Sequence, residues 1–408
     1  MRILLITNYF PPEIGAASHL YYELGQALVR RGHQVTVLTG TPRYNVPQNQ
    51  RRTYSVYSVE GGMTVIRRPV PDFDRKTRFA RGLEHLWVAW AFASADVGKQ
   101  DVALVYSPPL TLALSARRHW RRHRIPFVLN VQDIFPESAV DLGVVRNPLL
   151  IKTFELLEKR AYGWASLVTV HSPGNAEHVL RQSMGRARVE VMPNWINTEE
   201  IVPGERDNAF RRELGIPDDR VLVSFAGTLG YSQDLDIVLD AAAQLRNDRV
   251  CFVIVGDGVE KDRLQKRAAA LGLSHVTFLP MQPKARYPEV LAASDICLAT
   301  LKPAVRTPVV PSKILSIMAS GRPVLAAMDL SGDAPGLIEE AQCGVCVQAG
   351  DLQSFTAALR KLASDGQLRV QMGQRGRSYA VRHLSVDAAA ARYEKLFERV
   401  VAESRQVR

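Results

Sequence analysis

The chain has 408 residues, 46% apolar and 23% charged, a globular composition that excludes a disordered tail or a coiled coil and leaves room for two or three domains. Lys and Arg number 52 against 41 Asp and Glu, a net charge of +11, and the first 200 residues carry most of it, 25 basic against 17 acidic. Such a surplus predicts an anionic partner for the first half: nucleic acid, an acidic membrane surface or a phosphorylated ligand.

The opening apolar run at 3–7 is too short for a signal-peptide core and reads as a buried parallel strand. Pro11, Pro12 and Gly15 make a loop. Residues 18–31 repeat apolar side chains at helical spacing and stop at Gly32; 35–39 is the next strand. This is a βαβ unit with a glycine loop after its first strand. Residues 43–62 are polar and read as a loop. Strands are expected at 102–106, 127–131 and 167–170, alternating with helices, the pattern of a parallel sheet covered on both faces.

Around Pro193-Asn194-Trp195 the pattern breaks, and it restarts with strands at 221–226, 251–255, 276–279, 296–298 and 324–326. Domains are therefore expected at 1–200 and 201–385, with a terminal helix, 386–408, packing back on the first. Ligands bind beyond the carboxyl ends of such strands, which favours an enzyme with one substrate on each domain. No run approaches the ~20 apolar residues that span a membrane.

Two glycine loops follow strands: Gly227-Thr228-Leu229-Gly230 and Gly256-Asp257-Gly258. Each could bring backbone N–H groups to a phosphate, or simply make a tight turn. Pro311 and Ser312 are good helix starters, so Lys313 should lie in the first turn. A cation there opposes the helix dipole, and a bound anion would remove the conflict. Asp234 and Asp236 have Asp-x-Asp spacing but should start the helix after the glycine loop, so no metal site is expected. Cys343 and Cys346 have C-x-x-C spacing without a nearby His, so two small apolar residues in a buried strand or turn are expected rather than zinc or redox chemistry. Four cysteines in all suit a reducing cytoplasm.

The motifs, in order, are Asn8-Tyr9-Phe10-Pro11-Pro12-Glu13-Ile14-Gly15, Arg31-Gly32-His33-Gln34-Val35, Val131-Gln132-Asp133-Ile134-Phe135-Pro136-Glu137, Pro193-Asn194-Trp195-Ile196-Asn197 and the Pro311-Ser312-Lys313 helix ending Met318-Ala319-Ser320-Gly321-Arg322-Pro323. Together, over nearly the whole chain, they resemble the family 4 retaining glycosyltransferases of the GT-B fold, within them the WbuB-like branch of colanic-acid and O-antigen biosynthesis. The resemblance implies an α/β protein of two doubly wound Rossmann-like domains facing a central cleft, with the nucleotide-diphosphate sugar on the second.

Carried over by position, Gly15, Gly227, Gly230, Gly256, Met281, Pro283, Ser312, Lys313 and Ser316 would bind the donor. Asp133 and Lys313 would be catalytic, and His19, Gln132 and Glu137 would meet the acceptor. The family's E-x7-E pair falls on Pro308 and Ser316, and its usual Arg and Lys after the glycine loop on Thr228 and Gln233. These departures shift the cationic burden to Lys313, with Arg306 and Arg322 as further candidates. The resemblance implies metal-independent transfer with retention, no resident cofactor, a UDP-sugar as the expected donor, and a polyprenyl-diphosphate-linked glycan as acceptor. The alternatives are a nucleotide-sugar epimerase and a catalytically silent partner of another transferase.

Arg117 to Arg124 form a dense basic run; Arg75, Lys76, Arg78 and Arg81 precede an apolar helix bearing Trp87 and Trp90. Basic residues beside such a helix suit an anionic membrane surface, so a cytoplasmic protein peripheral to a membrane is expected. No nucleic-acid recognition motif accompanies the charge.

Overall fold

A computed structural model describes residues 1–13, 15–42, 46, 54–71, 78–137, 147–246, 248–305 and 310–406, and only the backbone of 16 and 78–81. Ile14, Arg75, Lys76, Arg306 and Pro308 lie outside these residues. The chain forms two compact units, Met1–Asn194 with Val386–Arg408, and Trp195–Ser385.

In the first unit the elements run β1 Arg2–Ile6, α1 Ala16–Arg30, β2 Gln34–Gly40, β3 Tyr57–Glu60, β4 Met63–Arg68, α2 Arg78–Ala93, β5 Val102–Ser107, α3 Leu112–His123, β6 Phe127–Val131, α4 Pro148–Trp164, β7 Leu167–Val170, α5 Pro173–Gln182 and β8 Val189–Val191. The described strands form one sheet in the order β3-β4-β2-β1-β5-β6-β7-β8. At the centre of the sheet both faces are covered, and β5 and β6 are buried at every position.

One expectation fails here. Residues 57–60 are not loop but strand β3, antiparallel to β4. Gly61 and Gly62, both at positive φ, make the two-residue turn between them. The alternation Tyr57-Ser58-Val59-Glu60 before a Gly-Gly pair was the available signal.

The crossovers β4 to β5, β5 to β6 and β6 to β7 all move the same way along the sheet. Right-handed connections therefore set α2, α3 and α4 side by side on one face, and α1 on the other. The C-terminal helix, Val386–Gln406, covers α1: His33 Nε2 meets Glu394 at 2.8 Å, and the buried Tyr393 hydroxyl lies 3.1 Å from Asn130 Nδ2.

The second unit runs α6 Ala209–Glu213, β9 Val221–Ala226, α7 Asp236–Gln244, β10 Val250–Val255, α8 Lys261–Ala270, β11 Val276–Leu279, α9 Tyr287–Ala293, β12 Ile296–Thr300, α10 Ser312–Ala319, β13 Val324–Met328, α11 Asp333–Glu340, β14 Gly344–Gln348, α12 Leu352–Ser364 and α13 Gly366–Tyr379. Its sheet is parallel in the order β11-β10-β9-β12-β13-β14. Strand order reverses between β9 and β12 here, and between β1 and β5 in the first unit. Such switch points open a crevice beyond the carboxyl ends of the strands.

Candidate active site

In the second unit the switch point gathers the residues singled out by sequence. The turn after β9 and the turn after β10 pack backbone to backbone. Gly227 N donates to Val255 O at 2.9 Å, Leu229 N to Asp257 O at 2.8 Å and Gly256 N to Leu279 O at 3.0 Å. A Cβ on Gly256 would stand 1.9 Å from the Gly227 carbonyl oxygen, so only glycine fits there. The Gly227 and Gly256 amides are thus occupied. Among the described residues, those of Thr228 and Gly230 donate to no protein acceptor and remain available to an anion.

Strand β12 leads into α10, whose N-cap is Pro311. Lys313, in the first turn, reaches back across the turn after β9. Its Nζ lies 3.1 Å from Gln233 Oε1 and 3.5 Å from the Phe225 ring centroid, and a Cβ on Gly227 would sit 3.3 Å from it. No carboxylate among the described residues pairs with this ammonium, and burial pushes it down to about 7. Gln233 stands where the family resemblance places a cation; its carbonyl instead receives Lys313, which a second cation would repel.

Ser312 is exposed, whereas Ser316 is buried, its hydroxyl 3.5 Å from Ser312 O and hydrogen-bonded with Tyr287. Met281 and Pro283 are exposed just past the end of β11. Arg322 does not join them: its guanidinium is held by the Gly204 and Ala292 carbonyls. Asp236 opens α7 and pairs with Arg263 at 2.7 Å and with Arg267, and Asp234 Oδ1 accepts from Ile237 N at 3.5 Å. Burial pushes the Cys343 and Cys346 thiols up to about 12, which leaves both unreactive near neutrality.

In the first unit, Gly15 precedes α1 and is exposed; its carbonyl accepts from His19 N at 3.2 Å. Gln132 and Asp133 follow β6. Gln132 and Asn194 exchange two amide hydrogen bonds, 2.8 and 2.7 Å, and Gln132 Nε2 also donates to Asn130 Oδ1 at 3.0 Å. Asn130 in turn donates to Thr169 Oγ1 at 3.1 Å. This chain of amides fixes the backbone from which Asp133 projects. Asp133 itself is exposed, accepts no hydrogen bond from a described residue, and raises the buried Tyr106 phenol, second to desolvation.

Glu137 is committed elsewhere. Its carboxylate lies 2.6 Å from His178 Nδ1, while His178 Nε2 meets the buried Glu158 at 3.0 Å. A positioning residue not singled out by sequence is Arg67, almost fully buried, which forks onto Glu60 and donates to Pro11 O at 2.9 Å. It anchors the loop leading to Gly15.

Helix α2 buries Val88, Ala91 and Phe92 but exposes Leu83, Leu86, Trp87 and Trp90, the two Trp rings 5.1 Å apart. It is a core helix on one side only. No helix among the described residues is long and apolar enough to cross a membrane.

Two family models match the chain in succession: a "Glycosyl transferase 4-like domain" over residues 15–195 and "Glycosyl transferases group 1" over 206–379. The chain is 28% identical to a putative colanic acid biosynthesis glycosyl transferase, WcaI, of Escherichia coli, over 88% of this chain and 92% of that protein. Among solved structures it resembles sucrose-phosphate synthase of Thermosynechococcus elongatus with a TM-score of 0.74 at 18% identity, covering 98% of this chain and 99% of that one. It likewise resembles Anabaena HepE, solved in complex with UDP, with a TM-score of 0.73 at 18% identity, covering 98% and 100%. The shared architecture is the GT-B fold.

Proposed function

Because the chain belongs to the glycosyltransferases defined by these two successive domains, we propose that it moves a sugar from a UDP-sugar to a polyprenyl-diphosphate-linked glycan in surface polysaccharide assembly, retaining the anomeric configuration and using no metal ion. The observation that carries this reading is Lys313. A half-buried ammonium beside two available amides, at a helix N-terminus and a strand-order reversal, fits a diphosphate. Departure of that diphosphate develops negative charge, and preorganised donors stabilise such charge without reorganisation. The UDP bound to HepE and the colanic-acid role in the name of the E. coli relative support the donor and the pathway.

Ser312 and Ser316 on α10, and Met281 and Pro283 past β11, are assigned to the rest of the donor. Asp133 is assigned to the acceptor hydroxyl, as base or orienting group, and Gln132 and His19 are assigned to the same substrate. The exposed Trp87 and Trp90 with the basic α3 suit an anionic membrane surface, where a lipid-linked acceptor resides.

Turnover of UDP-, GDP- and dTDP-sugars, with and without a lipid-diphosphate glycan, tests the reading. Acceptor-dependent consumption of a UDP-sugar, lost in Lys313→Ala, is the expected result. Acceptor-independent conversion to an epimer, or donor binding without turnover, would replace it with one of the two alternatives.

A further inference from the structure

Away from the strand-end crevice, α3 carries a second cationic feature. Leu112 begins α3 at the carboxyl rim of the sheet, and the helix rises ~1.5 Å per residue, so Arg117 to Arg122 sit one to three turns away, toward the opposite edge. Leu114, Arg117, Arg118, Arg121, Arg122 and Trp164 line a cavity of about 540 Å³ where α3 meets the end of α4.

The spacing is i, i+3, i+4, i+7, i+8, one stripe along the helix. Arg117 is sandwiched: its guanidinium carbon lies 4.5 Å from the Trp120 ring centroid and 5.8 Å from that of Trp164. Its buried Nε finds no acceptor. None of these four arginines forms an ion pair with a described carboxylate. The charges at 117/121 and 118/122 repel one another at helical contact distance. Arg121 and Arg122 lie in the last turn, where the helix dipole favours cations, but Arg117 and Arg118 do not have that compensation. Burial and then Arg121 lower the affinity of Arg117 for its proton.

We propose that this cavity is a discrete binding site for the phosphate of an anionic membrane lipid. It deepens the membrane reading given above, and rests on it, by replacing a diffuse basic surface with a saturable site. Guanidinium forks match phosphate oxygens in pairs, which a scattered lysine surface does not. The lipid source follows from what flanks the arginines on the same face of the sheet. On one side α2 exposes Leu86, Trp87 and Trp90; on the other α4 exposes Leu156, about two turns before Trp164. A phosphate seated between α3 and α4 therefore has apolar side chains to either side for the chains it carries, whereas a free phosphate would use none of them.

The test uses the full chain and vesicles of phosphatidylcholine with and without phosphatidylglycerol. Arg118→Gln with Arg121→Gln removes two charges from the cavity; Lys99→Gln with Lys152→Gln removes two exposed charges elsewhere in the same unit. Diffuse attraction depends on the number of charges alone, so its loss weakens both variants alike. A discrete site predicts that the cavity pair loses at least about tenfold more affinity than the control pair, and that Arg117→Lys, which keeps the charge but not the fork, also loses affinity. Equal losses would overturn the proposal. Inorganic phosphate is then titrated at fixed ionic strength. Partial competition with phosphatidylglycerol vesicles is expected; saturable phosphate binding without vesicle preference would overturn the lipid assignment in favour of a free phosphate. UDP binding is followed in the same variants and should not change. Failure of the wild-type chain to bind UDP would count against the proposed function, not against the cavity.

Discussion

The carboxyl rims of the two sheets solve opposite problems. In the first unit, Asp133 stands in water, and order comes from the neutral amides beneath it, Gln132, Asn194 and Asn130. In the second, Lys313 is half-buried over Phe225 with one neutral oxygen partner, Gln233, and two backbone amides left over. Under the proposed function, an open rim with a fixed backbone would admit a bulky acceptor without contesting its hydration. A rim holding an unpaired cation is unfavourable until an anion arrives, so part of the anion's binding energy relieves an existing cost.

That contrast predicts separable defects. The largest is Asp133→Asn: loss of a general base costs ~10²–10⁴-fold, so transfer should collapse while UDP affinity, read by calorimetry, stays as in the wild type. Normal transfer by this variant would return Asp133 to the solvent. Next is Lys313→Ala, which should weaken UDP binding about tenfold or more, as a charge-assisted contact of ~1.5–3 kcal/mol requires. Lys313→Met sharpens the point, since replacing an unpaired buried cation by an apolar side chain should leave Tm equal or higher while binding is lost. A marked drop in Tm would show that Lys313 supports the fold instead.

Gly256→Ala probes the scaffold rather than the charge. Its Cβ would meet the Gly227 carbonyl at 1.9 Å, backbone that cannot step aside as a side chain could. A cost of ~1–3 kcal/mol is expected in urea unfolding, with UDP affinity falling alongside it. The equivalent change at Gly15 on the first rim, where a Cβ would touch nothing, should leave stability within ~0.5 kcal/mol.

The most gradual effect is in pH. The unfolded chain keeps Lys313 at its ordinary value, while the folded protein holds it at about 7. Between those values the unfolded state binds the extra proton, so this residue makes stability rise with pH across that window, and its full penalty is present below about 7. A diphosphate needs the charged form, so UDP affinity should fall as pH climbs above about 7, by roughly tenfold per pH unit at most. Lys313→Arg should flatten that slope. A wild-type affinity flat from neutral to mildly alkaline pH would break the comparison between the rims.

The sequence alone determined the βαβ alternation, the two glycine turns and the place of Lys313 at a helix start, because each is a short-range pattern: strand runs, φ-permissive residues and capping chemistry act over a few positions. It also carried the family, through motifs in order. What acts between distant positions was decided by tertiary structure. Gln233 receives Lys313 across 80 residues, Gln132 clasps Asn194 across 62, and neither partnership leaves a local signature. Glu137 looked available until the fold brought His178 against it, and Arg322 until the Gly204 and Ala292 carbonyls closed around it. Tyr57–Glu60 are too few to bury a face by themselves, and pairing with β4 is what makes them a strand. The same holds for α2, where one apolar run serves both core and surface. Composition cannot say which side of a helix meets the sheet, and only packing turned Phe92 inward and Trp90 out.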